Sequence, residues 1–133
     1  TWAAAMDSVR TGCGYGSICS PTMPVQGICP MGWHLPNYDE WKTLIGAVGG
    51  SNIAGKRLKS SSGWNDNDGA SGNGTDAFGF AALPAGEKEY YGNYFSEGDI
   101  AYFWSSSIYG SDGAYSMSLF VSGNVYVVIF CCV

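Results

Sequence analysis

Apolar residues recur at helical spacing through one clear stretch of this chain and, from Phe78 onward, at every second position, so helices precede a sheet. The helical stretch follows Pro36: Asn37 offers an N-cap, Asp39 and Glu40 occupy the first turn, and Trp41, Leu44, Ile45 and Val48 share a face before Gly49 and Gly50 end the helix. Residues 2–9 read as a further short helix, with Ala3, Ala4 and Ala5 for propensity and Asp7-Ser8 as its stop. The alternating stretches are 78–82, 101–104 and 115–122; in the last, Tyr115, Met117, Leu119 and Val121 point one way and Ser116, Ser118, Phe120 and Ser122 the other. Ser122-Gly123-Asn124 reads as a hairpin turn into residues 125–133, apolar on both faces. Residues 55–59 read as a basic turn, and 60–76, almost wholly Gly, Ser, Asn, Asp and Thr around Trp64, as a long surface loop of the kind that carries function. The class is α+β, short helices packed on a small twisted antiparallel sheet with long loops.

One domain is expected, because 133 residues, 46% of them hydrophobic, fill a single core and 20 glycines leave little room for long elements. A net charge of -5 is the wrong sign for phosphate backbones or anionic lipid, which argues against nucleic acid as a partner. The apolar run 125–133 is far shorter than the roughly 18 residues of a membrane span, so no membrane insertion by this segment is expected. Five cysteines favour an oxidising compartment, hence an extracellular or cell-surface location, with one thiol left over. Cys13 and Cys19 bracket turn-rich residues inside a Gly- and Pro-broken loop that needs a staple, and a disulfide between them is expected. No CxxC pair occurs and the one histidine is His34, so a zinc site is not expected, and no cofactor is implied.

Several strings carry a family resemblance: TWAAAMDS at 1–8, CGYGSICSPTMPVQGICPMGWHLPNYDEW at 13–41, AVGG at 47–50, RLKSSSGW at 57–64, GNGTDAFGFAALPAG at 72–86 and AYFWSSS at 101–107. Together they resemble the Fibrobacter succinogenes major paralogous domain, which implies a C-type lectin-like fold over residues 1–133. Family members open several strands earlier, near a WMAENL segment, and close on a strand reading GFSVRC. Measured against them, the chain is expected to be a fragment lacking the N-terminal strands and the closing strand. The family-like reading pairs Cys29 with a cysteine outside this chain, and a literal one pairs it with Cys131 or Cys132. The segment FWSSSIYGSDGAYSMSLFVSGNVYVVIFCCV is also similar to the variable region of retroelement-diversified proteins. That similarity implies a hypervariable recognition surface at Ser106, Ile108, Tyr109, Asp112, Ser116, Ser118, Phe120, Tyr126, Val128, Phe130 and Cys132.

The remaining candidate residues each have a simpler structural role. His34 lacks a nucleophile and an orienting carboxylate in sequence, and reads as an imidazole donating to backbone. Trp64-Asn65-Asp66 is similar to the WND tripeptide of calcium-dependent lectins, but Asp66, Asp68 and Asp76 lack calcium-loop spacing and no EPN or QPD accompanies them. Cys131 and Cys132 point to opposite faces of a strand and cannot act as a dithiol pair. Lys56, Arg57 and Lys59 read as a solvated basic face. Tyr90, Tyr91 and Tyr94, in a Gly-flanked loop, read as an exposed aromatic patch able to bind a ligand, with Phe103 and Trp104 half-buried. The reading that results is a non-enzymatic extracellular ligand-binding or adhesion module for a protein or carbohydrate. The alternatives are a structural surface or filament subunit, or an oxidoreductase like the formylglycine-generating enzymes.

Overall fold

The computed structural model describes residues 1–89 and 91–131, with backbone alone at Phe130 and Cys131. Among the described residues four short helices, α1 (Trp2–Ala5), α2 (Ser8–Thr11), α3 (Tyr38–Ala47) and α4 (Ser51–Leu58), precede seven strands. These are β1 (Asp66–Asn67), β2 (Ala70–Ser71), β3 (Glu87–Lys88), β4 (Tyr94–Phe95), β5 (Ile100–Tyr109), β6 (Gly113–Phe120) and β7 (Val125–Cys131). Strands β1 and β2 form one two-stranded sheet, β3 and β4 another, and β5-β6-β7 a three-stranded sheet in that order, its strands joined by tight turns. The α+β class stands. The chain clusters into two compact units, residues 1–42, 104–117 and 127–133 in one and residues 43–103 and 118–126 in the other.

In the first unit the core is Trp2, Met6, Cys13, Val25 and Ala114, with Cys19, Leu35, Trp104 and Ile108 packed against it. Trp2 buries its ring and donates Nε1–H to the Ser105 carbonyl at 2.7 Å, so the indole carries no unpaired donor into the interior. The expected single helix over 2–9 is two helices, because Asp7 sits at φ 54° between them and breaks the ladder. Helix α3 begins as the sequence demands. Asn37 Oδ1 accepts from the Glu40 amide at 2.9 Å while Glu40 Oε2 accepts from the Asn37 amide at 2.8 Å, a reciprocal capping box. The Cys13–Cys19 disulfide is formed, with a Cα–Cα separation of 5.2 Å.

In the second unit Ile45, Val48, Ala54, Leu58, Trp64, Ala82, Ala101, Leu119 and Val125 are buried. The expected basic turn at 55–59 is the last part of α4. Its buried side is Ala54, Gly55 and Leu58, and Gly55 lets the helix touch the β6–β7 turn, where any Cβ would collide with the Gly123 carbonyl. The polar stretch after α4 is not an idle surface loop. Amides of Thr75, Ala77 and Ala82 donate to the carbonyls of Lys56, Arg57 and Leu58 at 2.8, 2.9 and 3.0 Å, so the loop closes the end of α4 that no glycine cap closes. Trp64 is buried beneath it, Nε1 donating to the Ala82 carbonyl at 3.0 Å.

Two strand expectations are corrected. Residues 78–82 form no strand but a single parallel bridge between Lys59 and Ala82. Asp76, Gly79 and Ala81 all have positive φ, and Asp76 Oδ1 accepts from the Ala81 amide at 2.7 Å, a local turn that competes with a ladder. The second correction concerns β6, whose Ser116, Met117, Ser118 and Leu119 are all fully buried. Alternation assigned its serines to a wet face, but β6 is the central strand of three and both of its faces are covered.

Candidate binding site

In the second unit, three short segments meet around an open depression of about 480 Å³ lined by Gly63, Asn65, Leu83, Pro84, Ala85, Glu97 and Gly98. Backbone bonds stitch them together: Asn65 N donates to Gly98 O at 2.9 Å, and Gly98 N to Pro84 O at 2.9 Å. The Asn65 side chain adds two more, its Nδ2 donating to Asp99 Oδ1 at 3.0 Å and to Glu97 O at 3.4 Å. Gly98, at φ +85°, is required here, since a Cβ would strike the Asn65 amide. Pre-formed walls of this kind suit recognition of a ligand without reorganisation.

One wall is apolar, with Leu83 63% exposed beside Pro84 and Ala85. The other is polar, and its side chains can only accept. Both Nδ2 hydrogens of Asn65 are used, which leaves its Oδ1 as an acceptor, and the exposed Glu97 carboxylate makes no hydrogen bond or ion pair among the described residues.

The β3–β4 hairpin rises from this rim, its feet at Gly86 and Ser96 directly beyond the lining residues Ala85 and Glu97. Glu87 faces Phe95 and Lys88 faces Tyr94. Tyr94 and Phe95 are neighbours on a strand and point to opposite sides, yet are 69% and 49% exposed, so both faces of the hairpin are in water. Gly92 N donates to Glu89 O at 3.0 Å to close the turn, where Tyr91 is 85% exposed. Lys88 Nζ lies 5.3 Å from the Tyr94 ring centre.

The residues singled out from sequence therefore separate. Tyr91 and Tyr94 are exposed as expected, while Tyr90 lies outside the described residues. Of the proposed variable surface, Tyr109, Asp112, Tyr126 and Val128 are exposed and Phe120 is half-buried with its ring 5.9 Å from that of Tyr126. Ser106, Ser116 and Ser118 are buried and Ile108 packs on the first unit's core, which corrects their placement on an exposed face. Ser106 Oγ has no hydrogen-bond partner among the described residues. The Phe130 side chain, Cys132 and any pairing of Cys29 with Cys131 or Cys132 lie outside the described residues, and Cys29 is half-buried and makes no disulfide among the described residues. Asn65, Leu83, Pro84 and Glu97 were missed as a group, since they are scattered in sequence. The first unit also exposes Val9 and, in a stretch between Arg10 and Asp39 without Lys, Arg, Asp or Glu, Ile18, Ile28, Met31 and Trp33.

His34 does not donate to backbone as expected; its Nε2 lies 3.0 Å from Glu40 Oε1, at the start of α3. Glu40's carboxyl is held below its ordinary range, chiefly by the Asn37 amide; burial opposes this as the next-largest effect, and His34 adds a smaller lowering. Asp76 is committed to the Ala81 amide, and among the described residues no three His, Cys, Asp or Glu side chains converge as metal ligands. Lys59 is not on a solvated face. It is 2% exposed, its Nζ donating to the carbonyls of Val121 at 2.9 Å and Phe120 at 3.2 Å and lying 4.5 Å from the Trp64 ring centre. Burial pushes its pKa down to about 8. Among the described residues no helix is long and apolar enough to cross a membrane.

No curated protein and no solved structure matches the chain. A sequence profile of the Fibrobacter succinogenes major domain matches residues 1–129, close to the full length, and the chain belongs to that family.

Proposed function

We propose that this chain is a non-enzymatic, extracellular binding module with a C-type lectin-like fold that holds its partner at the second unit's depression and the aromatic hairpin on its rim. The observation that carries the reading is the exposure of Tyr91, Tyr94 and Phe95 on a hairpin with both faces in water. Rings placed so forfeit burial in the free chain and gain it on contact with a partner, at low entropic cost because each has two rotatable bonds. The Cys13–Cys19 disulfide supports an oxidising location. Glu40 gives His34 a carboxylate partner, but among the described residues no hydroxyl or thiol is bonded to the imidazole, which supports a structural rather than a catalytic role.

The test is an array of immobilised glycans and peptides probed with the labelled chain and with a Tyr94→Ser/Phe95→Ser double variant of unchanged melting temperature. Selective binding that the double variant loses is expected. Self-assembly with no ligand found would favour a structural subunit, and turnover of a substrate abolished by His34→Ala would overturn the non-enzymatic reading. A second reading, a retroelement-diversified surface, is favoured by the exposure of Tyr109, Asp112, Tyr126 and Val128. Its test is the coding DNA, where a near-identical repeat differing at adenines beside a reverse transcriptase gene is required.

A further inference from the structure

We infer that the depression between Asn65, Leu83 and Glu97 takes a lysine or arginine side chain presented by a protein partner. The inference rests on the binding-module reading and names the chemistry that this site selects. A ligand must match both walls. The polar wall offers the Glu97 carboxylate, the Asn65 Oδ1 and, behind it, the negative charge of Asp99, all acceptors, and no lining side chain has a hydrogen left to donate. A bound group must therefore supply donors, and a cationic one makes the stronger, charge-assisted bonds. The facing wall of Leu83, Pro84 and Ala85 is apolar, and an exposed leucine there gains by covering. Lysine and arginine join these two properties, an alkyl stem ending in donors, and they lay the stem on apolar surface while the head meets an acceptor.

Charge agrees with this choice. No cationic side chain lines the depression, the neighbouring hairpin carries Glu87 and Glu89 beside the single Lys88, and the whole chain has a net charge of -5. Such a field raises the encounter rate with a basic partner and falls off with salt. A saccharide is the weaker candidate, because its hydroxyls need donors as well as acceptors and a ring to stack on, and no aromatic side chain lines the depression. The volume of about 480 Å³ admits one long side chain with its flanking backbone.

The test is a titration of the 133-residue chain followed by backbone amide NMR, with acetyl-Gly-Lys-Gly-amide, its norleucine counterpart and cellotetraose as the three probes. The lysine peptide is expected to shift the amides of Gly63, Asn65 and Gly98 saturably, and the norleucine peptide to bind about tenfold more weakly or less. Glu97→Gln should weaken the lysine peptide about tenfold and 0.5 M sodium chloride should weaken it further. Both Glu97 and Leu83 are exposed, so Glu97→Gln and Leu83→Ser should retain the wild-type spectrum elsewhere. Equal binding of the lysine and norleucine peptides, or tighter binding of cellotetraose at the same amides, would overturn the inference. So would the absence of any shift, and if the hairpin double variant still abolished binding on the array, the inference would fail alone and the binding-module reading would stand.

Discussion

Replacing Lys59 by methionine separates two opposing effects that the second unit holds in balance. The ammonium donates to two backbone carbonyls and lies on the Trp64 ring, and each charge-assisted bond of this kind contributes about 1.5–3 kcal/mol. Against this stands burial. A pKa of about 8 in place of 10.5 means that the fold disfavours the charged form by about 3 kcal/mol relative to water. Methionine keeps the apolar stem, removes the buried charge and leaves the Val121 carbonyl without its lysine donor, so Lys59→Met should cost about 2 kcal/mol at pH 7. The pH dependence gives a sharper test. With the folded pKa below the unfolded one, the unfolded chain binds more protons between about pH 8 and 10.5, so wild-type stability gains from Lys59 as pH rises through that window. The variant lacks this gain, and tyrosine ionisation affects both chains alike. Urea unfolding followed by tryptophan fluorescence at pH 7 and pH 10 should show the gap between them widening by about 2–3 kcal/mol. A gap that stayed constant or narrowed would refute the reasoning and show that the carbonyls and ring outweigh burial.

Removing the Cys13–Cys19 bridge by Cys13→Ser/Cys19→Ser opens a short loop, and should lower unfolding free energy by about 2 kcal/mol in chemical denaturation. Asn37→Ala should cost about 1 kcal/mol through the lost cap on α3, read as a lower melting temperature. Because Glu40's carboxyl is held below its ordinary range, its contribution is present at neutral pH and is lost as pH falls through that lowered value. Wild type and Glu40→Gln should therefore converge in stability under acid, in a series of melts from pH 7 downward. Millimolar calcium should leave the melting temperature unchanged, since Asp76 is already bonded to the Ala81 amide and Asp66 on β1 and Asp68 in the turn after it are exposed.

Much local chemistry was legible in the sequence. The α3 cap at Asn37 and Glu40, the disulfide over six positions and the turn around Gly123 all depend on short-range geometry, and all are present. Two failures are also local, since the left-handed Asp7 that splits residues 2–9 and the Asp76–Ala81 turn that displaces a strand at 78–82 are backbone conformations that residue type alone does not announce. The others depend on partners remote in sequence. Alternation along β6 correctly divides Ser116 and Ser118 from Met117 and Leu119, but whether a face is wet is decided by what packs on it, and both faces are covered. Lys56, Arg57 and Lys59 look alike as a basic run, yet Lys59 is buried because carbonyls some sixty residues on receive its ammonium. The exposure of Tyr91 and Tyr94 was legible from their place in a Gly-flanked loop, though the β3–β4 pairing that presents them was not. The depression at the hairpin's foot was not legible either, because Asn65, Leu83 and Glu97 come together only through hydrogen bonds between loops, and a leucine in a family-like string reads as core.

Hydroxyl-radical footprinting of the chain, free and with the ligand selected on the array, tests the central claim most directly, because both units expose oxidisable apolar side chains and one map reports on each. The account predicts protection of Leu83, Tyr91, Tyr94 and Phe95 in the second unit on ligand binding, with Ile28, Met31 and Trp33 in the first unit unchanged. Protection confined to Ile28, Met31 and Trp33, with the hairpin and Leu83 still fully reactive, would contradict it.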